Sequence, residues 1–125
     1  MAAPTRQELI TTTRELLALA KQGDYPALAA RMAYHGSGDP VNDYRKPFDY
    51  KHDYDQKMVD AWGGRLAKLQ DDIDGIEFGE QFSSEEDEGT WHAIEVFFKM
   101  GPDQRHRYFG YLELGGKLLL GDVDQ

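Results

Sequence analysis

The side chains best suited to chemistry in this chain are Glu80, His92 and Tyr108. A carboxylate beside an imidazole holds the ring in one tautomer and raises its basicity, which is what a general base requires. The strand reading below sets Glu80 directly across from His92 and puts Tyr108 on the same face, where its hydroxyl could polarise a substrate carbonyl. Against this stands the commoner use of a cross-strand Glu and His near a sheet end, as a partly exposed structural pair. Tyr34 and His35 are expected at the mouth of the same cavity, with Trp62 and Phe78 lining it.

Other polar clusters point less far. His52, Asp53 and Asp55 offer nitrogen and oxygen ligands, but Asp53 is better used as a helix cap and no second histidine stands at a recognisable spacing. No metal site is therefore expected. The run Ser83-Ser84-Glu85-Glu86-Asp87-Glu88 has carboxylates without the glycine placement of a calcium loop, and reads as a solvated hairpin loop. The sequence has no phosphate-cradling glycine loop, no nucleophile elbow and no paired-histidine zinc helix. With no cysteine, thiol catalysis and thiolate metal sites are excluded. No cofactor is expected.

The elements that must position these groups are mostly strands. Ile76 to Phe82, Thr90 to Met100, Gln104 to Leu114 and Lys117 to Val123 read as four strands in succession, joined by Ser83 to Gly89, Gly101-Pro102-Asp103 and Gly115-Gly116. Connections this short permit only antiparallel neighbours, so the four form a meander. If Met100 pairs with Gln104, Phe98 lies opposite His106, Val96 opposite Tyr108, Ile94 opposite Gly110 and His92 opposite Leu112. Across the acidic loop, Ile94 then faces Phe78 and His92 faces Glu80. Alternation gathers Ile76, Phe78, Phe82, Ile94, Val96, Phe98, Leu112 and Leu119 on one core-forming face. The other face carries Trp91, Phe97, Phe109, Tyr111, Leu118 and Leu120, more apolar surface than a soluble monomer leaves in water. A homodimer through that face is expected.

The first half is helical. Thr5 and Glu8 make a capping box for a helix with Leu9, Ile10, Thr13, Leu16, Leu17 and Ala20 on one stripe, stopped at Gly23. Asp24 caps a second helix, with Pro26 in its first turn, ending near His35-Gly36. An irregular stretch from Gly36 to His52 packs down through its aromatic residues. Asp53 and Gln56 resemble another capping box, opening a third helix with Met58, Val59, Trp62, Leu66 and Leu69 inward. Gly63 and Gly64 mark a kink or a close approach.

The 125 residues are enough for one domain, spanning 1–125. Twenty-three acidic against fourteen basic residues give a formal charge of -9, which argues against nucleic acid or an anionic membrane as partner. The polar start and the absence of any long apolar run predict a cytoplasmic protein.

Two N-terminal helices joined through Lys21-Gln22-Gly23-Asp24-Tyr25, a third helix after an irregular stretch, and a meander closing through Gly115-Gly116-Lys117-Leu118 resemble the nuclear transport factor 2-like superfamily over nearly the whole chain. The resemblance implies an α+β, cystatin-like cone, with three helices packed on a curved four-stranded antiparallel sheet around a central cavity, and frequent dimerisation through the sheet. It implies no single function, because fold and chemistry are separable. The expectation is a non-catalytic module binding a small apolar ligand or a protein. The alternative is a small cofactor-free isomerase, dehydratase or SnoaL-like cyclase using His92, Glu80 and Tyr108.

Overall fold

The computed structural model describes residues 3–36, 38 and 41–124. Helix α1 spans Arg6–Gln22, with Thr5 and Glu8 closing the capping box reciprocally and Gly23 ending the helix at φ +73°. Only a residue without Cβ takes that left-handed cap freely, so the chain turns sharply into α2, Tyr25–Ala29, whose first turn Asp24 caps. This second helix is five residues long and stops well before the predicted end at His35. The reason is competition from the sheet: Leu120 donates its N–H to the Arg31 carbonyl and Ala33 donates to the Leu120 carbonyl, both at 2.8 Å. Met32 thereby joins the sheet edge as a parallel bridge. The chain then doubles back, with Ala33 bridged to Pro47 and Phe48 donating to Met32.

Helix α3 spans Asp53–Lys68. Its N-cap is His52, which makes no side-chain cap bond, so the capping box expected at Asp53 and Gln56 does not form. Asp55 instead accepts a hydrogen bond from the Asp49 amide at 2.6 Å. The close approach expected at Gly63 is the Tyr25 ring: a Cβ there would lie 2.3 Å from Tyr25 Cε1. No helix among the described residues is long and apolar enough to cross a membrane.

Four strands follow: β1 Gly75–Glu86, β2 Gly89–Met100, β3 Asp103–Leu114 and β4 Lys117–Asp124. They form one antiparallel sheet in the order β1-β2-β3-β4. The acidic run predicted as a loop is instead paired strand, with Glu85 opposite Thr90 and Glu86 opposite Gly89. A strongly strand-forming partner in β2 overrides the polar composition of Ser83 to Glu86.

The register of β3 against β2 differs from expectation by one residue. Met100 pairs with Asp103, so the turn is the two residues Gly101-Pro102 rather than three. Gly101, at φ +58°, supplies the positive φ that such a tight hairpin needs at its first central position. A one-residue slip exchanges the two faces of a strand. Phe109 and Tyr111 therefore point at the helices, and both are fully buried in the same core as Leu9, Leu16, Leu17, Val59 and Leu66. Ile94, Val96 and Phe98 do lie in this core as expected, and Ile76 and Phe78 pack against it.

The slip and two bulges correct several placements. Leu112 and Leu119, predicted inward, pair with each other on the outer face. A bulge between Phe78 and Gln81 turns Phe82 outward, where it is 50% exposed. Leu118 and Leu120, predicted outward, share the inner face with Glu113 and Tyr111. Of the six residues expected to join two copies, Phe109, Tyr111, Leu118 and Leu120 thus belong to the helix-facing side, and only Trp91 and Phe97 remain outside. Trp91 is itself covered, lying against Gly110 and Gly121 with Tyr44 edge-on at 5.3 Å. Four of the six residues predicted for that face are therefore part of the core side or packed against it.

Candidate functional site

Glu80, His92 and Tyr108 are not brought together. His92 stands opposite Ser83, with its Nδ1 2.9 Å from the Ser83 hydroxyl, because the β1 bulge displaces Glu80 out of the ladder. Glu80 is exposed there. Tyr108, whose partner in β2 is Glu95, faces away from the helices while His92 shares the face of Ile94.

A glutamate, a histidine and a tyrosine do meet, at other positions. On the outer face the His106 Nε2 lies 2.6 Å from Glu95 Oε2, and the Tyr108 hydroxyl donates to the same oxygen at 3.2 Å. Glu95 Oε1 accepts the Glu80 amide at 3.0 Å, and Gly79 leaves it room, since a Cβ there would fall 2.0 Å from that oxygen. The bulge and the carboxylate thus fit each other. Phe97 stacks on the His106 ring at 5.0 Å, and Tyr108 meets it edge-on at 4.9 Å.

The Glu80 amide, above all, holds the Glu95 carboxyl below its ordinary range; partial burial acts in the opposite sense, and the bonds from His106 and Tyr108 add to the lowering. The same neighbourhood raises the Tyr108 phenol, first through burial and then through Glu95. A carboxyl whose folded pKa is depressed stabilises the fold above its unfolded pKa of about 4.3, and that contribution disappears as pH falls through the folded value. Glu95→Gln is accordingly expected to lower the thermal midpoint clearly at pH 7 and by much less near pH 3. A midpoint difference that stays constant across that range would show that Glu95 carries no such linkage.

The residues expected to line a cavity are divided. Tyr34 and His35 sit in an aromatic cluster at the doubled-back segment: Tyr34 lies 5.5 Å from Phe48 and 5.9 Å from Tyr54, and His35 lies 5.7 Å from both Tyr44 and Trp62. The His35 ring is fixed through Nδ1, 2.9 Å from the Ala33 carbonyl. Phe78 packs on the core under the Arg14 guanidinium, 5.1 Å from its centroid. Of the four, only Trp62 borders the hollow at the end of α3.

That hollow, of about 400 Å³, lies between the last turns of α3 and the inner face of β3 and β4. Trp62, Leu66, Leu69 and Val123 make its apolar surface, and Arg65, Lys68, Arg105 and Arg107 its polar one. Sequence reasoning missed the two β3 arginines because the slipped register assigned Arg105 and Arg107 to the outer face. A two-residue reading of the Gly101-Pro102 turn would have found them. No histidine, carboxylate or tyrosine is among the described residues bordering it.

A scan against protein-family models, a search of curated proteins and a search of solved structures each find no match for this chain. What the fold defines is an α+β domain with three helices packed on an open four-stranded antiparallel sheet.

Proposed function

We propose that this chain is a non-catalytic binding module of nuclear transport factor 2-like architecture, holding a small molecule with an apolar body between α3 and the inner face of β3 and β4. The observation that carries the reading is the hollow itself: about 400 Å³, with Trp62, Leu66, Leu69 and Val123 on its surface and no acid–base pair beside them. Ligand sites are typically concave, mostly apolar and about 300–1,000 Å³, with a few polar groups to orient the guest. The order of elements supports the architecture, as does the bridge from Met32, just after α2, to Leu120 on β4.

N-phenyl-1-naphthylamine, a neutral probe that brightens in apolar surroundings, tests this. At about 0.3 kcal/mol per heavy atom its 17 atoms give roughly 5 kcal/mol, a Kd on the order of 100 μM. Saturable brightening that Val123→Trp abolishes, with the circular dichroism unchanged, is the expected result. Brightening that ignores Val123→Trp, or none, would overturn the assignment.

The catalytic alternative keeps one observation in its favour, the 2.6 Å contact of Glu95 with His106 beside Tyr108. It would place an isomerase, dehydratase or cyclase site on the open sheet face. Both Glu95 oxygens are already engaged by donors, which suits a structural carboxylate better than a base.

A further inference from the structure

Resting on the binding reading above, we infer that the guest of the α3–β3–β4 hollow is a small organic anion, a carboxylate or phosphate ester carried on an apolar, ring-sized body. Four of the fourteen Lys and Arg residues of the chain border this one hollow. Two of them stand where strand alternation calls for apolar side chains: Arg105 is opposite Phe98 and Arg107 opposite Val96, on the face that packs against the helices. Charged groups on a core-facing surface are costly unless they are partnered. The ion pairs seen between described residues, Arg31 with Glu15, His52 with Asp49 and His106 with Glu95, all lie away from this hollow. Among the described residues, no carboxylate pairs with any of the four cations at the hollow, in a chain that carries 23 acidic residues.

The arginines are nonetheless held in place. Arg105 Nη1 donates to the Leu69 carbonyl at 3.1 Å and to the Asp71 carbonyl at 2.9 Å, and Arg107 Nη1 donates to the His106 carbonyl at 2.8 Å. A carbonyl fixes a guanidinium without supplying counter-charge, and each guanidinium has five N–H donors, so further donors stay available. The Arg65 guanidinium lies over the Trp62 ring, 5.4 Å from its centroid, which sets a third cation beside the apolar surface. Oriented, planar guanidinium groups match an oxygen pair of a carboxylate or phosphate bidentately. The head of the guest therefore meets Arg105, Arg107 and Lys68, and its apolar body rests on Trp62, Leu69 and Val123.

The test is calorimetric titration of the full chain at pH 7 with 2-naphthoate, 2-naphthyl phosphate and 2-naphthylmethanol, which share one apolar body. At least one anion is expected to bind 10- to 100-fold tighter than the alcohol, and the tighter of the two assigns the head group. Arg107→Gln is expected to remove that advantage, weakening the anions far more than the alcohol. Because Arg107 is part-buried, the double variant Arg65→Gln/Lys68→Gln, at exposed helix positions, is expected to weaken the anions several-fold without disturbing the fold. Equal binding of alcohol and anions, abolished by Val123→Trp, would overturn the anion inference and leave the binding reading standing. No binding of any of the three would overturn both.

Discussion

Replacing Tyr111 with alanine is expected to destabilise the fold by about 3–5 kcal/mol, the cost of deleting a large buried aromatic side chain. Tyr111 is fully buried on the inner face of β3, and its hydroxyl lies 2.6 Å from the Thr13 hydroxyl of α1. Thr13 in turn donates to the Leu9 carbonyl at 2.8 Å, so the phenol is the donor to Thr13. Burial pushes the Tyr111 phenol up and so favours its neutral, donating form. Two milder variants separate packing from hydrogen bonding. Tyr111→Phe keeps the ring and leaves Thr13 satisfied by Leu9, at about 1 kcal/mol. Thr13→Val strands a buried phenol without its acceptor, at about 1–3 kcal/mol. Urea denaturation reads all three, and Tyr108→Ala, on the part-exposed outer face, is the control expected to cost less than Tyr111→Ala. The reverse order would mean that β3 presents its other face to the helices.

That comparison also marks where the sequence stops being readable. Helix α1 was legible because its signals are local: the Thr5–Glu8 box, Gly23 at its cap and its apolar stripe each depend on residues a few positions apart, whereas the end of α2 is set by a distant bridge to Leu120. The strands and their order were legible for the same reason, since Gly115 and Gly116, both at positive φ, admit essentially one hairpin. Register between β2 and β3 depended on whether Asp103 belongs to the turn or to the strand, and both readings alternate acceptably. Gln104 to Leu114 carries large side chains at odd and even positions alike, so hydrophobic pattern alone could not choose.

The candidate site inherited this ambiguity. A glutamate, histidine and tyrosine cluster was expected and one exists, but with Glu95 and His106 in place of Glu80 and His92, since parity decides which members meet. The bulge at Gly79 and Glu80 was not legible either. It exists because the Glu95 carboxylate on the neighbouring strand takes an amide from it, a contact across fifteen positions of sequence. The cationic hollow was hidden for the same parity reason, as the expected register turned its two β3 arginines away from the helices.

Gly121→Val is expected to cost about 1–3 kcal/mol, the usual penalty for forcing volume into a filled site, and to free Trp91. The Trp91 ring lies across two glycines on neighbouring strands, where a Cβ on Gly121 would come within 2.4 Å of the ring and one on Gly110 within 3.1 Å. Gly121 is the extra residue of the β4 bulge, so the tilt of the strand and the seat of the ring are one feature. Lifting the ring breaks the Nε1 bond to Glu88 at 2.7 Å and the edge contact with Tyr44, which ties the segment before α3 to the outer face. In a Trp62→Phe background, where Trp91 is the only tryptophan, its emission should shift to the red with Gly121→Val, less with Gly121→Ala and least with Gly110→Ala. Burial of Tyr44, with Asp122, Glu88 and Asp43 nearby, raises its phenol, so a spectrophotometric titration of that tyrosine should move back toward the ordinary range in the same variant. Unchanged emission in Gly121→Val would show that Trp91 does not rest on those glycines, and that the outer face is open where this structure closes it.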